Sequence, residues 1–99
     1  MKLTGKQKRH LRGLGHALRF QVKIGKHGVT DTVVGSVDTS LAKNELIKIK
    51  FGPSFDGDLA VAVAELAGRT ESFEVGCVGK TALLYRPDPD APRIQLPHP

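Results

Sequence analysis

The stretch FQVKIGKHGVTDTVVGSVDTSLAKNELIKIKF, residues 20–51, decides the fold, because a strand, a short loop, a helix and a second strand follow one another in it. Phe20, Val22 and Ile24 alternate with polar residues, which is the period of a half-buried strand. Apolar residues at positions 33, 34, 37 and 41 then recur with helical spacing behind Thr30, a suitable cap. Residues 45–51 alternate again. This unit predicts two parallel strands joined by a right-handed crossover.

Helices and strands are also predicted on both sides of this unit. Thr4 can cap a first helix that runs to about Leu18, with a stripe formed by Leu11, Leu14 and Leu18. Asp58 can cap a third helix over residues 59–66, with Gly68 near its end. A third strand follows, and a tight turn at positions 79 and 80 leads into a fourth strand over residues 81–86. The inner face of the third strand is assigned to Phe73, Val75 and Cys77.

The element order α-β-α-β-α-β-β predicts an α/β fold, a small two-layer sandwich with a four-stranded mixed sheet and three helices. Polar residues on one side of three strands suggest that one sheet face is open to water, with the helices mainly on the other. Residues 1–86 are predicted to form the domain. Residues 87–99 contain five prolines and are predicted to form an extended tail, which Ile94 and Leu96 can anchor.

Composition restricts the possible functions of this chain of 99 residues. One cysteine permits no internal disulfide, and neither a signal sequence nor an apolar run of membrane-spanning length is seen. A cytoplasmic location is therefore expected. The sequence does not indicate an oligomeric state, and a monomer is taken as the default. The first thirty residues carry eight lysines and arginines and no acidic residue, whereas the rest carry seven basic and ten acidic residues. Such asymmetry indicates a surface that binds a polyanion, although a solvated basic helix has the same composition.

The loop GKHG, residues 25–28, is the predicted centre of that surface. Its glycines allow close approach of a ligand, and free backbone N–H groups at the start of a helix favour an anion. As an isolated motif it is equally consistent with a plain turn. Lys48 and Lys50 either extend the surface or form a solvated sheet face. The residues predicted to bind the polyanion are Gly25, Lys26, His27, Gly28, Thr30 and Lys23 in and around the loop, and Lys2, Lys6, Lys8, Arg9, Arg12 and His16 in the first helix.

Four segments together resemble the CRM domain, named for chloroplast RNA splicing and ribosome maturation. They are LTGKQK at 3–8, VKIGKHGV at 22–29, NELIKIK at 44–50 and VGKTALLYR at 78–86. The resemblance is closest to the stand-alone bacterial YhbY-like proteins and runs from about residue 2 to 97. One departure is Phe20, where members of the family tend to carry proline.

The resemblance implies a fold similar to the C-terminal domain of translation initiation factor three. It also implies binding to ribosomal RNA in precursors of the large subunit, with the GXXG loop and the basic first helix as the contact. No cofactor or metal is expected, because the four histidines lack a paired spacing and the acidic residues do not converge. Catalysis is therefore not expected. A DNA-binding module and a protein-interaction domain remain as alternatives.

Overall fold

The computed structural model describes residues 2–99, in which three helices and four strands follow the predicted order. Their bounds are α1 (Gly5–Gly15), β1 (Val22–Ile24), α2 (Asp31–Lys43), β2 (Leu46–Phe51), α3 (Leu59–Thr70), β3 (Phe73–Val78) and β4 (Thr81–Tyr85). Within these residues no helix is both long enough and apolar enough to cross a bilayer.

All three helices begin at the predicted capping residues. The Thr4 hydroxyl accepts a hydrogen bond from the Gln7 N–H at 3.2 Å, and the Gln7 side chain accepts one from the Thr4 N–H at 3.1 Å. Together they form a capping box. Thr30 and Asp58 each accept a bond from the N–H three residues later. Each cap pairs one of the amides that the first turn of a helix leaves without a partner.

The four strands form a mixed sheet in the order β1-β2-β4-β3. β1 and β2 are parallel, whereas β4 is antiparallel to both of its neighbours. The carboxyl ends of β1, β2 and β3 consequently lie at the same end of the sheet. This end, where the strands stop and the loops begin, is called here the loop edge. The loops at residues 25–28, 52–57 and 79–80 all leave from this edge.

The sheet carries a separate core on each face. Ile47, Ile49 and Phe51 of β2 point towards α2 and α3 and are at most 1% exposed. Leu46 belongs to a second core with Leu11 of α1, and residues of the tail pack against it. The predicted open face is therefore only partly open, because α1 and the tail cover its half farthest from the loop edge.

The predicted course of α1 requires two corrections. The helix ends at Gly15 and not near Leu18. Gly15 itself packs against the sheet, since a Cβ there would be 2.6 Å from the Leu83 side chain. The buried residues of the helix are Gln7, Leu11 and Gly15, spaced four apart, whereas Leu14 is 43% exposed. α1 therefore packs closely on the sheet through a narrow stripe that contains a glycine.

The ends of other elements also differ from their predicted positions. α3 continues through Gly68 to Thr70 and ends where Glu71 takes up a left-handed conformation, with a φ of 53°. β1 begins at Val22, and Phe20 before it is exposed. In α3, packing of the last helical turn outweighs the preference of Gly68 for a helix end.

The predicted inner face of β3 is wrong at Cys77, which is exposed. The register between β3 and β4 shifts between Glu74 and Gly76. This irregularity inserts one residue, so that Val75 points into the second core while Cys77 lies opposite Ala82 and faces the other side of the sheet. The alternation of inward and outward side chains that the sequence predicts for a strand cannot reveal such an insertion.

The tail has no helix or strand and is tied to the domain at defined points. Ile94 and Leu96 pack against the second core, which confirms their predicted anchoring. The buried carboxylate of Glu45 accepts hydrogen bonds from the backbone N–H groups of Asp88, Arg93 and Ile94. Burial raises the pKa of Glu45, these three bonds lower it, and the net result is a pKa below the ordinary value of 4.5. Glu45 thus holds the tail as an ionised carboxylate.

Candidate nucleic-acid interface

The GKHG loop is a tight turn whose centre faces solvent. The Gly28 N–H donates to the Gly25 carbonyl at 3.0 Å, and Gly28 has a φ of 66°, which favours glycine. Lys26 and His27 at the centre of the turn are exposed. Within the described residues, their N–H groups donate to no backbone or side-chain acceptor. The turn therefore presents two free amides and a lysine, but the Gly28 amide is already used.

The loop after β2 supports the turn from beside it. The Gly52 N–H donates to the Ile24 carbonyl at 2.8 Å, which joins the two loops at the loop edge. A Cβ at Gly28 would lie 3.7 Å from the Phe55 ring, and that ring packs against Phe51 with centroids 4.9 Å apart. This aromatic contact gives the turn a packed base.

The N-terminus of α2 lies immediately behind the turn. Thr30 caps it and its hydroxyl accepts the Val33 N–H at 3.1 Å, so Thr30 positions the helix end. Asp31 follows, but its carboxylate is bound by Arg69 of α3 at 2.7 Å. Because α2 begins at Asp31, the positive end of its dipole lies directly after the turn that carries Lys26.

A row of side chains crosses the open half of the sheet beside the loop edge. Lys23 lies opposite Lys50 on the neighbouring strand, Lys50 lies opposite Thr81, and Thr81 lies opposite Val78. Residues directly opposite each other in a sheet point to the same side, so all four share one face. The side chain of Lys23 extends over Gly52 towards the loop edge, since a Cβ there would be 3.0 Å from Lys23 Cε. The row links the turn to the open sheet face.

The open sheet face carries no acidic side chain from β3. Glu74 pairs with Leu84, whose side chain is buried in the core under α2 and α3, so Glu74 points to the opposite face. The sequence left open whether Lys48 and Lys50 contribute to the surface. Their shared face with Lys23 favours a contribution, because the potential of neighbouring lysines adds without a carboxylate to offset it.

Two of the predicted residues from the first helix reach this face. The Arg12 Nη1 donates to the Val75 carbonyl at 3.3 Å, which draws its side chain across the edge of β3. Arg12 and His16 line one cavity together with Lys48 of β2. The structure therefore places Lys23, Arg12 and His16 on one surface with the turn.

The other basic residues of the first helix lie farther from the turn. The start of α1 packs at the far end of the sheet, where Leu3 is in the second core with Tyr85, and where Gln7 donates to the Pro97 carbonyl at 3.1 Å. That end is about 20 Å from the loop edge, the length of six strand residues. The residues concerned are Lys2, Lys6, Lys8 and Arg9. They form a second basic surface along the start of α1, and Lys8 and Arg9 lie about one helical turn before Arg12.

The basic residues of both surfaces have no acidic partner in the described chain. Every ion pair within residues 2–99 uses either Arg69 or Arg86, the latter at 2.6 Å from Asp38. The lysines and arginines of the first thirty positions are absent from these pairs. Their charges are thus available to an external anion, which is the arrangement expected of a surface that releases counterions on binding.

Phe20 and Lys80 belong to this region but were not predicted as site residues. Phe20 is 46% exposed, and Lys50 Nζ lies 5.4 Å from its ring centroid. Lys80 is the second residue of the turn between β3 and β4, and its carbonyl accepts the Phe51 N–H at the loop edge. The position of Lys80 depends on strand order, which no local motif encodes. The exposed Phe20 is visible in the sequence only as an unpaired aromatic residue before a strand.

Comparison with known proteins identifies the family. The model of the CRS1/YhbY (CRM) domain matches residues 3–86. The chain belongs to the CRM family. An RNA-binding protein of Haemophilus influenzae is 34% identical over 95 residues, covering 96% of this chain and 95% of that protein. YqeI of Bacillus subtilis, which carries the name "Probable RNA-binding protein", is also 34% identical, with 96% and 99% covered.

A solved structure extends the agreement to the fold. The solution structure of a Staphylococcus aureus protein, described as a candidate RNA binding protein, superposes with a TM-score of 0.83 at 33% identity. The match covers 97% of this CRM-family chain and all of the other. The predicted family and the predicted α/β fold are thus confirmed, including the mixed four-stranded sheet.

Proposed function

We propose that this CRM-family protein is a non-catalytic RNA-binding protein that acts on ribosomal RNA in precursors of the large subunit during ribosome assembly. The observation that carries the proposal is the exposed GKHG turn, with two free amides and Lys26 at the N-terminus of α2, next to unpaired lysines on the sheet. Amides and cations in this arrangement bind phosphate oxygens. The names of the relatives support RNA as the polyanion.

The proposed contact has two parts. The turn, with Gly25, Lys26, His27 and Gly28, holds phosphates of the RNA backbone, and Lys23 continues the contact onto the sheet. The basic start of α1 adds a second contact about 20 Å away, the length of six strand residues. Two contacts so far apart suit a structured RNA better than a short single strand. The protein acts as a monomer in the cytoplasm in this proposal.

The absence of catalysis in this proposal agrees with the chemistry of the one thiol. Desolvation and the nearby Glu74 carboxylate raise the pKa of Cys77, so the reactive thiolate is disfavoured. A cysteine that acts as a nucleophile needs the opposite shift.

The direct test replaces Lys26 and His27 with aspartate and measures filter binding to a large-subunit ribosomal RNA transcript. Binding should fall by at least about tenfold, because repulsive charges replace cations that hold phosphates. The salt dependence should weaken by about 0.7–0.9 log units of affinity per log unit of salt for each phosphate that the variant no longer binds. The matched control is Lys43→Asp with Asn44→Asp, an equal charge change on an exposed pair at the end of α2 far from the loop edge. Equal losses of affinity in both double variants would contradict a specific role of the turn.

The target is tested in cells by crosslinking the protein and sequencing the attached RNA. Enrichment of large-subunit ribosomal RNA that disappears in the Lys26→Asp, His27→Asp variant is the expected result. An even spread over cellular transcripts would contradict the ribosomal target. Association with ribosomal particles that survives nuclease treatment would favour a protein-interaction domain instead.

A further inference from the structure

A cavity of about 310 Å³ lies between the end of α1 and the hairpin of β3 and β4. It opens on the open half of the sheet, on the same face as the lysine row. The lining consists of one helix end, two hairpin strands and one side chain of β2. The residues are Arg12, Gly15, His16, Lys48, Gly76, Val78, Thr81 and Leu83.

Two glycines give the cavity its shape. A Cβ at Gly15 would lie 2.6 Å from the Leu83 side chain, so any other residue type would force Leu83 or α1 to shift. A Cβ at Gly76 would lie 3.1 Å from Arg12 Cδ, so the arginine stem occupies the space that a side chain on β3 would take. The lining between these two glycines is therefore mainly apolar, and Leu83 forms part of this apolar floor.

The rim combines cations with planar groups. Arg12 is held by its bond to the Val75 carbonyl at 3.3 Å, which leaves the rest of the guanidinium free. His16 is exposed at the end of α1, and Lys48 projects from β2. Among residues 2–99, none that lines the cavity carries a carboxylate. An apolar floor beside the planar side chains of Arg12 and His16 matches a nucleobase, and Lys48 matches the phosphate attached to it.

We propose that this cavity binds one unstacked nucleotide from a single-stranded part of the RNA, an inference that rests on the proposed RNA-binding function. The volume is at the lower end of small-ligand sites, which suits a single nucleotide and excludes a duplex. Unpaired bases are recognised on arginine and aromatic planes, whereas duplex RNA is recognised by its shape.

The lysines continue the path of the bound strand towards the turn. Lys48 lines the cavity, Lys50 lies two residues farther along β2, and Lys23 pairs with Lys50. The distance from Lys48 to the loop edge at Gly52 is about 13 Å along the strand. A chain with its base in the cavity thus has its next phosphates over the lysine row, and the GKHG turn lies at the end of that path.

The test compares two probes that differ only in one base. The first is a short fluorescein-labelled RNA backbone that is abasic at every position, and the second carries a single adenine at its centre. In anisotropy titrations the wild type should bind the adenine probe at least about fivefold more tightly, the low end for burial of one base. Gly76→Val should bring this ratio close to one, because its side chain fills the floor and displaces Arg12.

A second variant keeps the test informative where Gly76→Val fails to fold. Val78 is 73% exposed at the cavity, so Val78→Glu leaves the core intact and places a carboxylate at its mouth. Val61 is 63% exposed on α3, behind the other face of the sheet, and Val61→Glu is the control with the same charge change. Val78→Glu should weaken binding of the adenine probe by at least about fivefold relative to Val61→Glu.

The outcomes separate the two proposals. Equal binding of both probes by the wild type, with ribosomal RNA binding still weakened at least about tenfold in the Lys26→Asp, His27→Asp variant, overturns the nucleotide site and leaves the proposed function standing. A ratio unchanged by Gly76→Val also overturns the nucleotide site. Failure of the wild type to bind either probe or the ribosomal transcript overturns both.

Discussion

Replacing Glu45 with glutamine should destabilise the protein, because this buried carboxylate holds the tail. Its side chain is 3% exposed, and its two oxygens accept N–H bonds from Asp88 at 2.6 Å, Arg93 at 2.8 Å and Ile94 at 2.7 Å. A glutamine has one acceptor oxygen, and its NH₂ group would face at least one of these donors. The variant therefore loses one or two charge-assisted bonds and leaves an N–H without a partner.

The expected cost is about 2–4 kcal/mol of unfolding free energy, since a bond to a charged group contributes about 1.5–3 kcal/mol and part of the tail can relax. For a domain of this size that corresponds to a fall in Tm of about 10–20 °C. Urea unfolding followed by circular dichroism measures it directly. The control is Glu65→Gln, which removes an exposed carboxylate paired with Arg69 and should change stability by less than about 0.5 kcal/mol.

The pH dependence gives an independent test of the same contact. The pKa of Glu45 is lowered in the folded protein, so its stabilising contribution is complete above the ordinary value of 4.5 and is lost as the pH falls through the folded value. The gap in unfolding free energy between wild type and Glu45→Gln should therefore narrow in acid. Asp88 also has a lowered pKa, mainly from the N–H groups of Asp90 and Ala91, but it titrates in both proteins. A gap below about 0.5 kcal/mol at neutral pH, or one that does not narrow in acid, would refute the reasoning.

Two glycine substitutions should change stability in opposite directions, and thermal melts measure both. Gly13→Ala in α1 should raise the free energy of unfolding by about 0.4–1 kcal/mol, because its Cβ would have no neighbour within 4 Å and alanine restricts the unfolded chain more than glycine does. A lower Tm in this variant would contradict the prediction. Gly28→Ala should destabilise by about 1–2 kcal/mol, because alanine is strained at a φ of 66°. Gly25→Ala is the control for Gly28→Ala, since the φ of Gly25 is not positive and a Cβ there would make an ordinary contact 3.6 Å from Ser54 Oγ. An equal loss of unfolding free energy in both variants would exclude backbone strain as the cause.

The residues that the fold brings together at the proposed RNA surface differ from those that the sequence predicts. The sequence predicts one basic face on the first helix together with the GKHG turn. The fold separates the start of that helix from the turn by the length of the sheet, and it adds the lysines of β2 beside Lys23. Only Arg12 and His16 of the helix meet the sheet lysines, at the cavity. An excess of positive charge in one segment of the chain therefore indicates that the ligand is a polyanion, but it does not indicate which residues form the binding site.

Local signals were sufficient wherever a single turn or strand decides the structure. Thr4, Thr30 and Asp58 are recognisable as caps because a short oxygen-bearing side chain satisfies nearby amides, which requires no distant partner. The alternation in residues 45–51 likewise fixes which side chains of β2 are buried under α2 and α3. The order of elements and the right-handed crossover rule then leave few possible topologies.

Tertiary contacts decided the features that depend on residues distant in sequence. The burial of Gly15 follows from its contact with Leu83, the exposure of Cys77 from a shift in strand register, and the extension of α3 through Gly68 from packing on the sheet. The cavity beside Lys48 exists only where α1, β2 and the hairpin meet. The sequence by itself determined the helices, the strands and the excess of positive charge, because those depend on neighbours a few residues apart. The tertiary structure alone decided which charges share a surface, because that depends on how the sheet is ordered and on which of its faces each helix covers.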